Sequence, residues 1–327
     1  MQSLRDLPAE FVPRRLLIEA SARWAVRARA IRPALSESAI GRKSDGSFVT
    51  AVDVAVQVLT LEFLSRLDQS PVLAEESADS LAAIPGGADI VMETVRALEP
   101  TADLRVEQLA GSLTRNPASG KEERFWILDP IDGTRSFVRG GHWCMCLALV
   151  ERGAVEFAVN ALPTIGSGVV QCALRERGSY EQELPMTGPT GWTRLTVAER
   201  VSSTVRIASA PKSNAAWRSR VLEAAAQAGI CVEWIAAESQ AKYASVARGD
   251  ADLVLTPQTE GGAALWDHAG GALIAQEAGM RVESFDGSSV RWNEGRDVGM
   301  QGGLAVGAPD AMRLARSIAP RVTERSS

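Results

Sequence analysis

The chain is predicted to be an α/β protein in two parts, mixed α+β up to about residue 200 and alternating α/β beyond it. That class rests on three features. Apolar residues recur at helical spacing in the first 70 residues, strand-like runs crowd between 124 and 175, and strand and helix signals alternate regularly after 200. With 327 residues and 46% apolar content, the chain can bury a core of domain size.

Segment 14–34 reads as a helix, and so does 51–68, where Val52, Val56, Leu59, Phe63 and Leu67 recur at helical intervals. PVLAEE (71–76) is a short strand. Residues 77–123 read as a polar surface insertion with one helix near Ile90–Leu98, closing in NPASGKEE. Strands follow at 124–128, 143–150, 155–161 and 168–175, a meander with Arg152-Gly153 at one turn. The later strands are VRIASAP, CVEWI, ADLVLTP, RVESF and GGLAVGA. The helices among them are WRSRVLEAAAQAG, SQAKYASVARG and WDHAGGALIAQEAG, whose Gly279 is placed to end the last. The expected domains are 1–200 and 201–327, and no internal repeat is present.

Charge and composition narrow the function. A formal net charge of -5, from 40 acidic and 35 basic residues, gives no field for gripping a polymeric nucleic acid. No stretch has the length of a membrane span or the form of a signal peptide, so a cytoplasmic protein without a membrane partner is expected. Cys144, Cys146, Cys172 and Cys231 form no CxxC pair, and two histidines do not make a rich zinc site. Cys144 and Cys146 stand two apart on one strand and are expected to face the core together.

The chemistry concentrates in FWILDPIDGTRSF (125–137). Asp129 and Asp132 lie at the end of an apolar run, where two buried carboxylates repel and lose hydration unless a cation compensates. A hard divalent ion such as Mg²⁺ prefers oxygen donors, and this turn offers both carboxylates and the Ile131 carbonyl. Gly133 and Thr134 fall at a helix start, where N–H groups can meet a phosphate oxygen and the Thr134 hydroxyl can orient a water. The same acids also suit a plain Asp-rich turn with a helix cap. Glu75 or Glu76 can reach the edge where the strand ends. Thr50 and Asp53 fit a capping box, and Asp267 equally fits an N-cap.

In this order, VTAVD, LAEES, DPIDGT and WDHAGG resemble the motifs of the magnesium-dependent, lithium-sensitive phosphatases of the inositol monophosphatase superfamily, across roughly residues 40–310. The resemblance implies a layered αβαβα sandwich. It implies two or three Mg²⁺ held by Glu75, Asp129, the Ile131 carbonyl, Asp132 and Asp267. Asp53, Thr134 and Glu75 match catalytic positions, with Asp53 and Thr134 handling the attacking water. The substrate is then a small phosphate ester and the protein a monomer or homodimer.

Within the superfamily the chain is most similar to 3'(2'),5'-bisphosphate nucleotidases, through KSDGSFVTAVD, the long 77–123 insert and SQAKYASVARGDADLVL. That likeness assigns Ser239 and Lys242 to the nucleotide phosphate, beside Gly133, Thr134 and Asp267 as further substrate contacts. Lys242 also opens a helix, where an anion meets both its ammonium and free N–H groups. Three positions depart from the nucleotidase pattern. Leu255-Thr256-Pro257 replaces an arginine, GGAALWD lacks a basic residue, and Lys212 stands for a histidine. Inositol, sugar or nucleoside monophosphates are the alternative substrates. A haloacid dehalogenase-type aspartyl nucleophile fits less well, because two residues separate the acids and the motif lies far from the first strand. A non-catalytic regulatory domain is disfavoured by the complete set of acids.

Overall fold

The computed structural model describes residues 3–4, 6–186, 191–197, 202–210, 214–258 and 262–323. Five layers stack in the order helix, sheet, helix, sheet, helix, as the resemblance implies. The first sheet has eight strands, in the edge-to-edge order Ser3–Leu4, Trp192–Leu195, Gly178–Glu183, Val169–Leu174, Ala154–Leu162, Cys144–Glu151, Arg124–Asp132 and Val72–Ala74. All neighbours pair antiparallel except the last two, which run parallel. The second sheet runs Cys231–Ala236, Thr204–Ser209, Leu253–Pro257, Gly303–Gly307 and Arg281–Ser284.

Strand Arg124–Asp132 is apolar on both sides because both sides are covered. Trp126 and Leu128 join the core under the outer helices Arg15–Ile31, Ala51–Leu67 and Gly87–Leu98. Phe125 and Ile127 face the middle layer of Ala241–Arg248 and Ala269–Glu277. Helices Ala215–Gln227 and Met312–Thr323 close the far face of the second sheet.

Several elements differ from the sequence expectation. Helix Ala51–Leu67 is apolar nearly all round, so the sheet alone cannot cover it. Segment 77–123 supplies the missing cover: Val91, Met92, Val95 and Leu98 of Gly87–Leu98 are buried against that helix, with short helices Ala78–Ala82 and Leu109–Leu113 beside it. The segment is a working part of the outer layer, not a surface decoration. The hairpin Ile40–Arg42/Phe48–Thr50, strands Gly178–Glu183 and Trp192–Leu195, and helix Met312–Thr323 have no counterpart in the expected elements. Lys212 lies outside the described residues. Among those described, no helix is long and apolar enough to cross a membrane.

Candidate active site

The two parallel strands of the first sheet end at one edge, which brings Glu75 beside the end of Arg124–Asp132; the Glu75 N–H donates to the Leu128 carbonyl at 3.2 Å. In a regular strand Asp129 and Asp132, three apart, would point to opposite faces. Here the ladder slips: Asp129 pairs with Cys146 and Asp132 with Cys144, three steps against two. Pro130 has no N–H to lose at the slip, and the bulge turns both carboxylates to one side. Asp267 arrives from the 3₁₀ turn Leu265–Asp267, and carboxylate oxygens of Asp129, Asp132 and Asp267 all lie within 4.8 Å of one another. Asp267 is not a helix cap. The residue before Ala269–Glu277 is His268, and no side chain caps that end.

Asp129 is 1% exposed, and both of its carboxylate oxygens are buried without a hydrogen-bond donor among the described residues. The carboxyls of Glu75 and Asp267 stand beside it, and they share a hydrogen bond with it only by holding a proton. Burial, then Glu75, Asp132 and Asp267, push the Asp129 carboxyl well above its ordinary range. Burial and Asp267 do the same to Asp132, partly offset by Lys242. Asp267 is raised to about 6, chiefly by burial, with Lys242 pulling it down. Left alone, such a cluster is a cost to the fold. An orphaned carboxylate among further acids is the donor set a hard divalent cation suits.

Thr50 caps helix Ala51–Leu67 and forms the predicted box with Asp53, whose Oδ2 accepts from the Thr50 N–H at 2.9 Å and its hydroxyl at 2.5 Å. The other oxygen of Asp53 accepts from the Thr134 hydroxyl at 2.9 Å; the Ile131 carbonyl lies 3.1 Å from that hydroxyl. Asp53 therefore completes the capping box with one oxygen while the other faces Thr134. Burial and the neighbouring Glu76 raise the fully buried Asp53 to about 8. Gly133 takes a left-handed φ of 91°, and a Cβ there would come within 3.2 Å of Ser239 Cβ, so this approach requires glycine.

Sequence reasoning assigned no role to Lys43 or Gln240 and left Glu76 open as the alternative to Glu75. Glu76 is 3% exposed: Gln57 clamps its backbone, its carbonyl accepting from the Gln57 side-chain amide at 2.6 Å while its N–H donates to Gln57 Oε1 at 3.0 Å. Lys43 donates to Glu75 and Glu76 at 2.9 Å each; burial alone would lower its pKa, but the two acids raise it. It stands in KSDGS, whose likeness to the nucleotidase motif assigns the lysine no role. Gln240 is fully buried and ties the halves of the site together. Its N–H donates to Asp132 at 2.5 Å and its amide to the Trp266 carbonyl at 2.7 Å, while its Oε1 accepts from Asn160 and the Gly271 N–H. Ser239 before it adopts φ 53°, a conformation uncommon for a residue with a side chain. Gly271 has no space for a Cβ against the Tyr243 ring, which accounts for small residues in WDHAGG. Lys242 lies in the first turn of Ala241–Arg248, close enough to hold down Asp132 and Asp267.

Fold, family and relatives together define a phosphomonoesterase. Residues 16–325 match the profile of the inositol monophosphatase family, and the chain belongs to that family. It is 30% identical over 317 residues to a probable 3'(2'),5'-bisphosphate nucleotidase 4 of Arabidopsis thaliana, covering 90% of each chain. It is 29% identical over 308 residues to a 3'(2'),5'-bisphosphate nucleotidase of Emericella nidulans, covering 83% of this chain and 87% of the relative. Among solved structures, an IMPase of Thermotoga maritima superposes with a TM-score of 0.66 at 18% identity, covering 96% of this chain and 98% of the other.

Proposed function

We propose that this phosphatase is Mg²⁺-dependent and removes the 3'-phosphate of a 3',5'-bisphosphate nucleotide such as 3'-phosphoadenosine 5'-phosphate. The metal dependence rests on the Asp129 carboxylate, buried with both oxygens unpartnered among further acids. Glu75, Asp129, the Ile131 carbonyl, Asp132 and Asp267 would hold two or three ions. Mg²⁺ bound there supplies charge neutralisation for the phosphate and leaving oxygen, and a water acidified enough to attack at neutral pH.

The chain's own groups do the rest. The Thr134 hydroxyl has one proton and turns it toward Asp53 at 2.9 Å, leaving lone pairs to accept from the attacking water. That water's proton passes to Thr134 as Thr134 gives its own to Asp53 Oδ1. With Oδ2 accepting from the Thr50 N–H and hydroxyl and Oδ1 accepting from Thr134, Asp53 is placed to receive that proton as an ionised carboxylate. Gly133 and Thr134 N–H groups, with Asp267, orient the phosphate under attack, and Ser239 and Lys242 receive the distal phosphate. No covalent enzyme intermediate is required, in contrast to an aspartyl-nucleophile phosphatase. Residues 1–200 and 201–327 serve as two domains, the second contributing Asp267. As such an enzyme the protein works in the cytoplasm as a monomer or homodimer, without a nucleic-acid polymer or a membrane.

The substrate preference is supported by SQAKY placing Lys242 beside the carboxylate cluster and by the nucleotidase relatives. It is tested by phosphate release with Mg²⁺ from 3'-phosphoadenosine 5'-phosphate, adenosine 3'-monophosphate and inositol 1-phosphate. The highest kcat/KM is expected for the bisphosphate. An equal or higher value for inositol 1-phosphate would move the enzyme to monophosphate esters.

A further inference from the structure

A cavity of about 350 Å³ opens beside Ser239 and Lys242, between the end of strand Leu253–Pro257 and the face of helix Ala215–Gln227 that carries Trp217 and Arg220. That size suits a small ligand. Among the described residues lining it there are two cations, Lys242 and Arg220, and no acid. The strand that lacks the nucleotidase arginine does line this space, but Leu255, Thr256 and Pro257 bring no charge to it.

Arg220 has the character of a group awaiting an anion. Its Nε is shut off from solvent yet has no hydrogen-bond partner among the described residues. Its guanidinium carbon lies 5.6 Å from the centre of the Trp217 ring, and Trp217 is itself held by stacking on Phe285 at 5.9 Å, with the ring planes 8° apart. Arg218, two residues earlier, is by contrast occupied. It donates to the Ala210 carbonyl at 3.2 Å and lies over Trp234. The Arg220 guanidinium is thus not committed through Nε to an acceptor among the described residues, and where it lines the cavity its planar fork of donors matches phosphate oxygens in a way a lone ammonium does not.

We propose that Arg220 supplies the cation missing from the strand, and that with Lys242 it grips the phosphate of the substrate that is not hydrolysed. This rests on the bisphosphate reading above and adds to it a specificity residue on a different element. A substrate with one phosphate leaves the cavity side of this pair without an anion, so the pair selects for two.

The test compares kcat/KM for 3'-phosphoadenosine 5'-phosphate and adenosine 3'-monophosphate in wild type, Arg220→Ala, Arg220→Gln and Arg220→Lys, with Arg218→Ala as control. The glutamine variant keeps a polar stem should alanine fail to fold. The bisphosphate-to-monophosphate ratio is expected to fall at least tenfold in Arg220→Ala and Arg220→Gln, mainly through KM, with partial recovery in Arg220→Lys and none of this loss in Arg218→Ala. A large wild-type ratio that survives in the alanine and glutamine variants would overturn the role of Arg220 and leave the bisphosphate reading standing. A wild-type ratio near one would overturn both.

Discussion

Replacing Asp129 by Asn should stabilise the metal-free protein while abolishing its activity. Oxygens of Asp129, Asp132 and Asp267 lie within 4.8 Å of one another. Two unit charges at that distance repel by about 3.5 kcal/mol in an effective dielectric of about 20. Protonation relieves part of this, since Asp129 and Asp132 are pushed well above their ordinary range, first by burial and then by Glu75 for Asp129 and by Asp267 for Asp132. The gain from Asp129→Asn in a chelator at pH 8 is therefore expected at about 1–3 kcal/mol, helped by an amide that donates to Glu75 or Asp267. Magnesium should reverse the order: at a hundredfold excess over Kd the wild type gains about 2.7 kcal/mol, and the variant, lacking a ligand, gains much less. Thermal unfolding with EDTA and with Mg²⁺, beside phosphate release, reads both effects. A variant that is less stable in EDTA, shifts with Mg²⁺ as the wild type does and still turns over substrate would refute the metal assignment of Asp129.

Three further outcomes are expected. Li⁺ at roughly tens of millimolar, weak as monovalent binding at a divalent site must be, should inhibit phosphate release; full activity there would place the protein outside the sensitive branch. Lys242→Ala should raise KM for the bisphosphate about ten- to hundredfold, the loss of a charged hydrogen bond; equal weakening of the bisphosphate and adenosine 3'-monophosphate would contradict a distal-phosphate role. Burial would raise Asp68, but Ser70 and Arg124 hold it down to about 2, so its contribution is present above the unfolded value near pH 4 and fades as pH falls toward 2. With its side chain 22% exposed, Asp68→Asn should cost about 1–2 kcal/mol at pH 7 after discounting for screening. Urea unfolding should show the wild-type advantage vanish between pH 4 and 2, and a constant advantage would contradict the stabilisation of the Asp68 carboxylate by Ser70 and Arg124.

What was legible in the sequence was local. Asp129 and Asp132 announce themselves because charge at the end of an apolar run demands compensation, and Thr50–Asp53 because a capping box spans three residues. Both appear as expected, as do the helices at 15–31 and 51–67 and the Arg152–Gly153 turn, where both residues have positive φ. What was not legible depends on distant partners. Which of Glu75 and Glu76 turns inward is decided by Gln57 and by the Leu128 carbonyl. The role of Gln240 lies in bonds to residues as far as 108 positions away. The hairpin strands Ile40–Arg42 and Phe48–Thr50 are three residues each, too short for a period to emerge. Segment 77–123 looked superficial because its polar residues are numerous, while its purpose is set by the apolar far side of helix Ala51–Leu67.

The proposed function has the acids hold a divalent cation, and phosphate release after metal removal tests that idea at its root. Protein stripped with EDTA and given 3'-phosphoadenosine 5'-phosphate should release no phosphate above background, and Mg²⁺ added in excess should restore turnover in the wild type but not in Asp132→Asn. Undiminished release in the chelator, or normal turnover by folded Asp132→Asn, would contradict a metal-based mechanism.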